Sequence, residues 1–151
     1  PDAAPANALQ SLVITTLPAT GTLSLAAGSS APGPVLAGQE IALADIPFLT
    51  FMPAANQHGL AQDSFTFQVR DDGGTLDGGT DLDASPNTVT FDVTSVNDAP
   101  AGTDTTVTTL EDTDYLFTAA DFGFTDPDDT LAANALQSVV ITTLPAAGTL
   151  S

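Results

Sequence analysis

Hydrophobic and polar residues alternate with a period of two along several short stretches of this chain. In Asn87 to Val96, Val89, Phe91 and Val93 take one face, and Thr88, Thr90, Asp92 and Thr94 the other, which predicts a long strand. Asp63 to Arg70 alternates in the same way, with Phe65, Phe67 and Val69 inward and Asp63, like Asp92, toward solvent. Leu9 to Thr16 is rich in β-branched residues, and the turn Pro18-Ala-Thr-Gly21 leads from it into a strand over Thr22 to Leu25. Ala26 to Gly38 reads as loop. Gln39 to Ile46 reads as weak strand or a short helical turn with Ile41, Leu43 and Ile46 inward, and Phe48 to Met52 as a strand. Farther on, Thr103 to Thr109 and Tyr115 to Thr118 read as strands separated by a turn at Glu111-Asp112-Thr113. No long helix is expected.

Between the two groups of strands lies Val96-Asn97-Asp98-Ala99-Pro100. Pro100 cannot donate a ladder hydrogen bond and biases Ala99 toward extended geometry, so the ladder stops there while the chain stays straight. The stretch reads as a seam between two β-domains, residues 1–98 and 99–151.

An internal repeat crosses that seam. Ala6 through Ala19 recurs as Ala133 through Ala146 with one change, Leu12 to Val139, at an offset of 127 residues. The match continues through Gly21-Thr-Leu-Ser24 and Gly148-Thr-Leu-Ser151. Pro1-Asp2 likewise echoes Pro127-Asp128, with one residue of difference in the loop that follows. A period of this length suits a β-sandwich module and is too long for a solenoid turn. Residues 1–98 then hold the later strands (C to G) of one module, and residues 99–151 the early strands (A to the start of D) of the next. Spliced across the period, they give an all-β fold, a Greek-key sandwich of about seven strands per module.

Charge narrows the function. The 151 residues carry 19 acids against a single Arg70 and no Lys, a net charge of −18, and 17 of the acids are Asp. A merely solubilising surface mixes both signs. Short-armed Asp in turns instead suits a hard cation, because its oxygens are clustered on fixed backbone. Nothing basic could neutralise phosphates, which excludes nucleic acid as a direct partner. Alternating strands, with 42% of residues hydrophobic, argue against disorder despite the charge. The absence of cysteine excludes disulfides and thiol chemistry, and no signal peptide or membrane-spanning run is visible.

Following strand direction, the acidic loops Asp126-Pro-Asp-Asp129 and Asp71 to Asp83 fall at the upper end of a module. The Glu111 turn and the Asn97-Asp98 linker fall at the lower end. Stacked head to tail, modules would bring these acids together at their joints, where they repel unless cations lie between them. A helix-loop-helix calcium loop does not fit. In Asp126 to Gln137 the turn glycine is Leu131 and the closing Glu is Gln137, and in Asp81 to Asp92 the glycine position is Pro86.

Phe48-Leu-Thr-Phe-Met-Pro-Ala-Ala-Asn56, Phe65-Thr-Phe-Gln-Val-Arg-Asp-Asp-Gly-Gly74, Val96-Asn-Asp-Ala-Pro100 and Leu110-Glu-Asp-Thr113 followed by Asp126-Pro-Asp128 give the chain a family likeness. It resembles the bacterial cadherin-like (VCBS-type) tandem repeats of giant calcium-dependent surface adhesins. The resemblance implies an Ig/cadherin-like sandwich and interdomain Ca2+. Carried over by position, it implies ligands at Asn97 and Asp98, Glu111, Asp126 and Asp128, Asn134 and Asp71, with Asp2 and Asn7 matching Asp128 and Asn134 in the first module. The linker has one acid fewer than cadherins proper, and their Leu-Asp-Arg-Glu phrase is missing, which implies one or two ions per joint.

The expected role is a calcium-rigidified extender repeat of a secreted or cell-surface bacterial adhesin. It would be extracellular, partnered by neighbouring repeats of the same protein, and without membrane insertion by this segment. The alternative is a subunit of an extracellular filament polymerised by strand exchange between neighbouring chains. An enzyme is not expected, because no aromatic-lined cleft accompanies the carboxylates. His58 reads as a solvated loop residue, Arg70 as half of a surface ion pair, and Asp45 and Asp121 as turn or cap residues.

Overall fold

A computed structural model describes residues 6–129 and 134–150. The chain divides into two compact units, Pro1–Ser95 and Val96–Ser151, three residues before the seam expected at 98/99. Asp2 lies outside the described residues. No helix among those described is long and apolar enough to cross a membrane.

The first unit is built from seven strands, β1 (Leu9–Thr16), β2 (Thr22–Leu25), β3 (Gly33–Pro34), β4 (Glu40–Ala42), β5 (Leu49–Met52), β6 (Gly59–Asp71) and β7 (Asn87–Val93). They form two antiparallel sheets, one ordered β4-β1-β6-β7 and the other β3-β2-β5. Every strand expected in this region is present, and β6 begins four residues earlier than the alternation indicated. β7 stops at Val93 rather than Val96.

Both sheets contribute to one core. Ile14 and Ile41 are fully buried, and Leu23, Leu25, Val35 and Phe65 join them. Phe51, Phe67, Val89 and Phe91 pack at the margin. Phe51 of one sheet lies flat against Phe91 of the other, with ring centroids 3.7 Å apart. Gly21 permits this approach, since a Cβ there would meet the Phe51 ring and the Met52 carbonyl. Leu43 and Val69, expected inward, are exposed. Leu43 opens a 3₁₀ turn over Leu43–Phe48, where the period-two phase is lost.

Asp63 also departs from expectation. It is 6% exposed rather than solvent-facing. Period two places it on the same face as Phe65 and Phe67, with which it runs in one continuous register against β7, and this brings the carboxylate under the β1–β2 turn. There it accepts the N–H groups of Ala19 (2.7 Å), Thr20 (3.1 Å), Gly21 (2.7 Å) and Ser64 (2.8 Å). The Gly21 N–H, with the other three behind it, holds the Asp63 carboxyl well below the usual carboxylate range despite opposing desolvation. Asp92 does face solvent, where it accepts the Ala61 N–H at 2.8 Å.

The second unit is sparser. Among its described residues, neither 103–109 nor 115–118 forms a ladder, although both were expected to be strands. One antiparallel bridge joins Ala101 to Thr125, with hydrogen bonds of 2.8 and 2.9 Å. A 3₁₀ turn, Ala119–Phe122, is anchored by Asp121, whose carboxylate accepts the Thr118 N–H at 2.7 Å and the Tyr115 hydroxyl at 3.0 Å. Residues 134–150 carry the β1 sequence without a ladder.

Two predictions follow from this core. Ile14→Ala should destabilise the first unit by about 2–5 kcal/mol, the usual cost of cutting a fully buried Ile to Ala, measured by urea unfolding. Asp63 has its pKa lowered on folding, so the stability it contributes is fully present above the unfolded carboxylate value near ~3.9 and is lost as pH falls toward the folded value. The urea midpoint should therefore drop below about pH 4, and Asp63→Asn should remove that part of the pH dependence.

Candidate metal centre

The bridge between Ala101 and Thr125 sets the geometry of the acidic site in the second unit. Because the two segments run antiparallel, the linker residues just before Ala101 face the acidic loop just after Thr125. Pro100, lacking an N–H, costs this pairing no donor. Asp98 donates its backbone N–H to Asp129 Oδ2 at 3.0 Å. Asn134 Nδ2 lies at the centre, 2.9 Å from Asn97 Oδ1, 3.0 Å from Asp126 Oδ2 and 3.0 Å from Asp129 Oδ2.

An amide nitrogen has two hydrogens, so three oxygens at this range exceed what it can satisfy. Asp126 Oδ1 is buried with no hydrogen-bond partner among the described residues. Asp129 is 5% exposed. Oxygen acceptors gathered with too few donors are an arrangement that a hard cation completes, and every side chain in it is an oxygen-bearing Asp or Asn. The residues fit Ca2+ in chemistry. They do not form a full cage by themselves, because no group of three or more acidic, His or Cys side chains suited to a metal occurs among the described residues.

The first unit carries a second polar notch at the same position of the repeat. Asn7, the counterpart of Asn134, donates to Asp71 Oδ2 at 3.4 Å. Asp71 Oδ1 accepts the Gly73 N–H at 2.9 Å, and Asp72 Oδ1 accepts the Ala8 N–H at 2.8 Å. A Cβ on Gly73 would meet the Asn7 amide, so any larger residue there would displace Asn7 from its place beside Asp71. The loop after β6 is also tied back along its strand by Asp71 N–H to Asp81 O and Asp83 N–H to Val69 O, both 2.9 Å.

The expected ligands are therefore distributed unevenly. Asn97, Asp126 and Asn134 are brought together, Asp98 joins through its backbone, and Asn7 meets Asp71. Asp128 is half-buried and makes no hydrogen bond among the described residues, while its neighbour Asp129 turns its carboxylate onto Asn134. Glu111 is exposed in a turn beside Asp112, and its side chain makes no hydrogen bond among the described residues. Sequence reading missed Asp129. The signal was the loop from Pro127 to Asn134, one residue longer than that from Pro1 to Asn7 and with an extra Asp.

Arg70 is more than half of a surface pair. It bridges Glu40 (Nε to Oε1, 3.0 Å) and Asp81 (Nη1 to Oδ2, 2.9 Å), and the hydrogen bond to Asp81 raises its pKa further. Asp45 and Asp121 act locally, as expected. Asp45 accepts the Ser30 hydroxyl and N–H, which lower its pKa, and Asp121 is lowered by Thr118.

Compared with known proteins, the chain matches no protein-family model, no curated protein and no solved structure.

Replacing Asn134 by Ala should free the carboxylates it gathers. With chelator present, the amide of Asp98, held by Asp129, should exchange with solvent at least several-fold faster than in the parent chain, as read by NMR.

Proposed function

We propose that this chain is a calcium-rigidified extender repeat of a secreted or cell-surface bacterial adhesin, built on a Greek-key, cadherin-like sandwich. One observation carries the reading. Asn97, Asp126 and Asp129 crowd their oxygens around a single Asn134 amide, leaving Asp126 Oδ1 buried and unpaired.

The sheet order supports the fold assignment. With β1, β2, β5, β6 and β7 read as strands C, D, E, F and G, one sheet contains C-F-G and the other D-E. β5 and β7 then each keep one open edge, where strands B and A would pair. The same repeat position supports the site. Asn7 meets Asp71 in one unit, and Asn134 meets Asn97, Asp126 and Asp129 in the other. Combined through the repeat, a whole joint would place the carboxylates of Asp126, Asp129 and a counterpart of Asp71 around one Asn.

Asp126, Asp129 and the side-chain oxygens of Asn97 and Asn134 would hold the ion. An Asn side chain can offer its oxygen instead of its NH2 by a half-turn about its last torsion. Ca2+ would supply the positive charge that this chain lacks, offsetting carboxylate repulsion so that the linker is clamped to the acidic loop. Extracellular calcium modules commonly bind at roughly 10⁻⁴–10⁻³ M, so millimolar calcium would fill such a site. The clamped linker would make successive modules a rod that holds a terminal binding domain away from the cell.

Calorimetric titration tests this. Asp126→Ala and Asp129→Ala should each weaken calcium binding about tenfold or more, a loss on the order of 1.4 kcal/mol, whereas Asp92→Ala should leave it unchanged. Absence of calcium binding in the millimolar range, or equal effects at all three positions, would overturn the assignment. Small-angle scattering of three tandem repeats should show a longer and stiffer particle with calcium than with chelator.

A further inference from the structure

The chain has one Arg and no Lys, so an endoprotease that cuts after basic residues has a single bond to attack, Arg70–Asp71. Hydrolysis would add water across that peptide, leaving a carboxylate on Arg70 and an amine on Asp71. A trypsin-class protease takes its substrate as an extended strand, pairing with the backbone and drawing the basic side chain into an acidic pocket. The scissile strand must therefore offer a free edge and a free cation.

Arg70 offers neither. On one side of β6, Val69, Arg70 and Asp71 pair with Leu12, Ser11 and Leu9 of β1. On the other side β7 ends with Asn87 opposite Phe67, which would leave the last residues of β6 as an open edge. The acidic loop closes that edge on its way back. Leu82 bridges to Arg70, the Asp71 N–H donates to Asp81 O at 2.9 Å, and the Asp83 N–H donates to Val69 O at 2.9 Å. Gln68 Nε2 adds a bond of 2.8 Å to Asp83 O, and the Asn87 amide holds the Asp83 carboxylate. The guanidinium is engaged as well, by Glu40 of β4 and by Asp81 of the returning segment. The loop's exposed tip, Leu76–Gly78, is where nicking ordinarily concentrates, yet it has no basic residue.

We infer that residues 81–83 are a guard strand, which closes the β6 edge over the Arg70–Asp71 bond and holds the Arg70 side chain through Asp81. A trypsin-class protease can then cut the chain only when this segment, or the whole first unit, opens. The guard lies within the first unit, stands apart from the extender reading and needs no metal.

The test is trypsin digestion of the full chain with chelator present, reading the appearance of the 1–70 fragment by mass spectrometry and global stability by urea unfolding. The parent should be cut about a hundredfold or more slower than a synthetic peptide of residues 64–77. Asp81→Ala frees the guanidinium, and Asp83→Pro removes the N–H donated to Val69. Made singly and together, these should raise the cleavage rate, the pair by about tenfold or more and beyond what any fall in the urea midpoint accounts for. Ile14→Ala, which leaves the guard intact, should speed cleavage only in proportion to its loss of global stability, and Asp77→Ala at the loop tip should match the parent. A parent chain cut as fast as the peptide overturns the inference. So does cleavage of the Asp81 and Asp83 variants that merely follows global stability, or an Asp77→Ala chain cut as fast as they are.

Discussion

With 19 carboxylates and one guanidinium, this chain must stabilise negative charge almost entirely without cationic side chains. Its single Arg70 is already committed to Glu40 and Asp81. Several of the other acids turn to backbone N–H groups and hydroxyls. Asp63 gathers four N–H groups under the β1–β2 turn, Asp45 takes Ser30, Asp121 takes Thr118, and Asp72 takes Ala8. Hydrogen bonds to the charged form hold a carboxylate ionised and fix the loop that donates them. The acids thereby serve as staples for turns in a protein that has no disulfide to do so.

Where backbone donors run out, the arrangement changes character. Around Asn134, three oxygens share one amide nitrogen, and Asp126 Oδ1 has no partner among the described residues. The contrast with Asp63 is one of donor supply. At Asp63 four N–H groups and the Thr20 hydroxyl converge on the carboxylate, whereas Asp126 Oδ1 is buried without one among the described residues, and the proposed cation site rests on that shortfall. The same Asn recurs in the first unit beside Asp71. One position of the repeat thus organises a polar notch in each unit.

The two units also show what a strand needs. Leu9–Thr16 is a central strand with hydrogen-bonded neighbours on both sides, while the near-identical residues 136–143 have none. Intrinsic β-propensity is the same in both places, so neighbours make the difference. Thr103 to Thr109 illustrates the same point, with alternation suited to a sheet but no ladder to join.

Much of this was legible in the residues. Period-two alternation located β6 and β7, β-branched richness and the turn at Pro18 to Gly21 located β1 and β2, and the 127-residue offset revealed the repeat together with the Asn that anchors both notches. The convergence of the linker with the acidic loop was readable from strand direction. What buries Asp63 was not readable: period two puts it on the face of Phe65 and Phe67, but the N–H groups of Ala19, Thr20 and Gly21 that stabilise a carboxylate there come from a turn distant in sequence. Nor was the choice of Asp129 over Asp128, because one of the groups that engages Asp129, the Asp98 N–H, lies 31 residues away in sequence. By itself the sequence determined the all-β class, the duplication and the excess of negative charge, which are local or summed properties. Tertiary structure alone decided which copy of the repeated strand is paired and which acids meet, because both depend on what lies beside a residue in space.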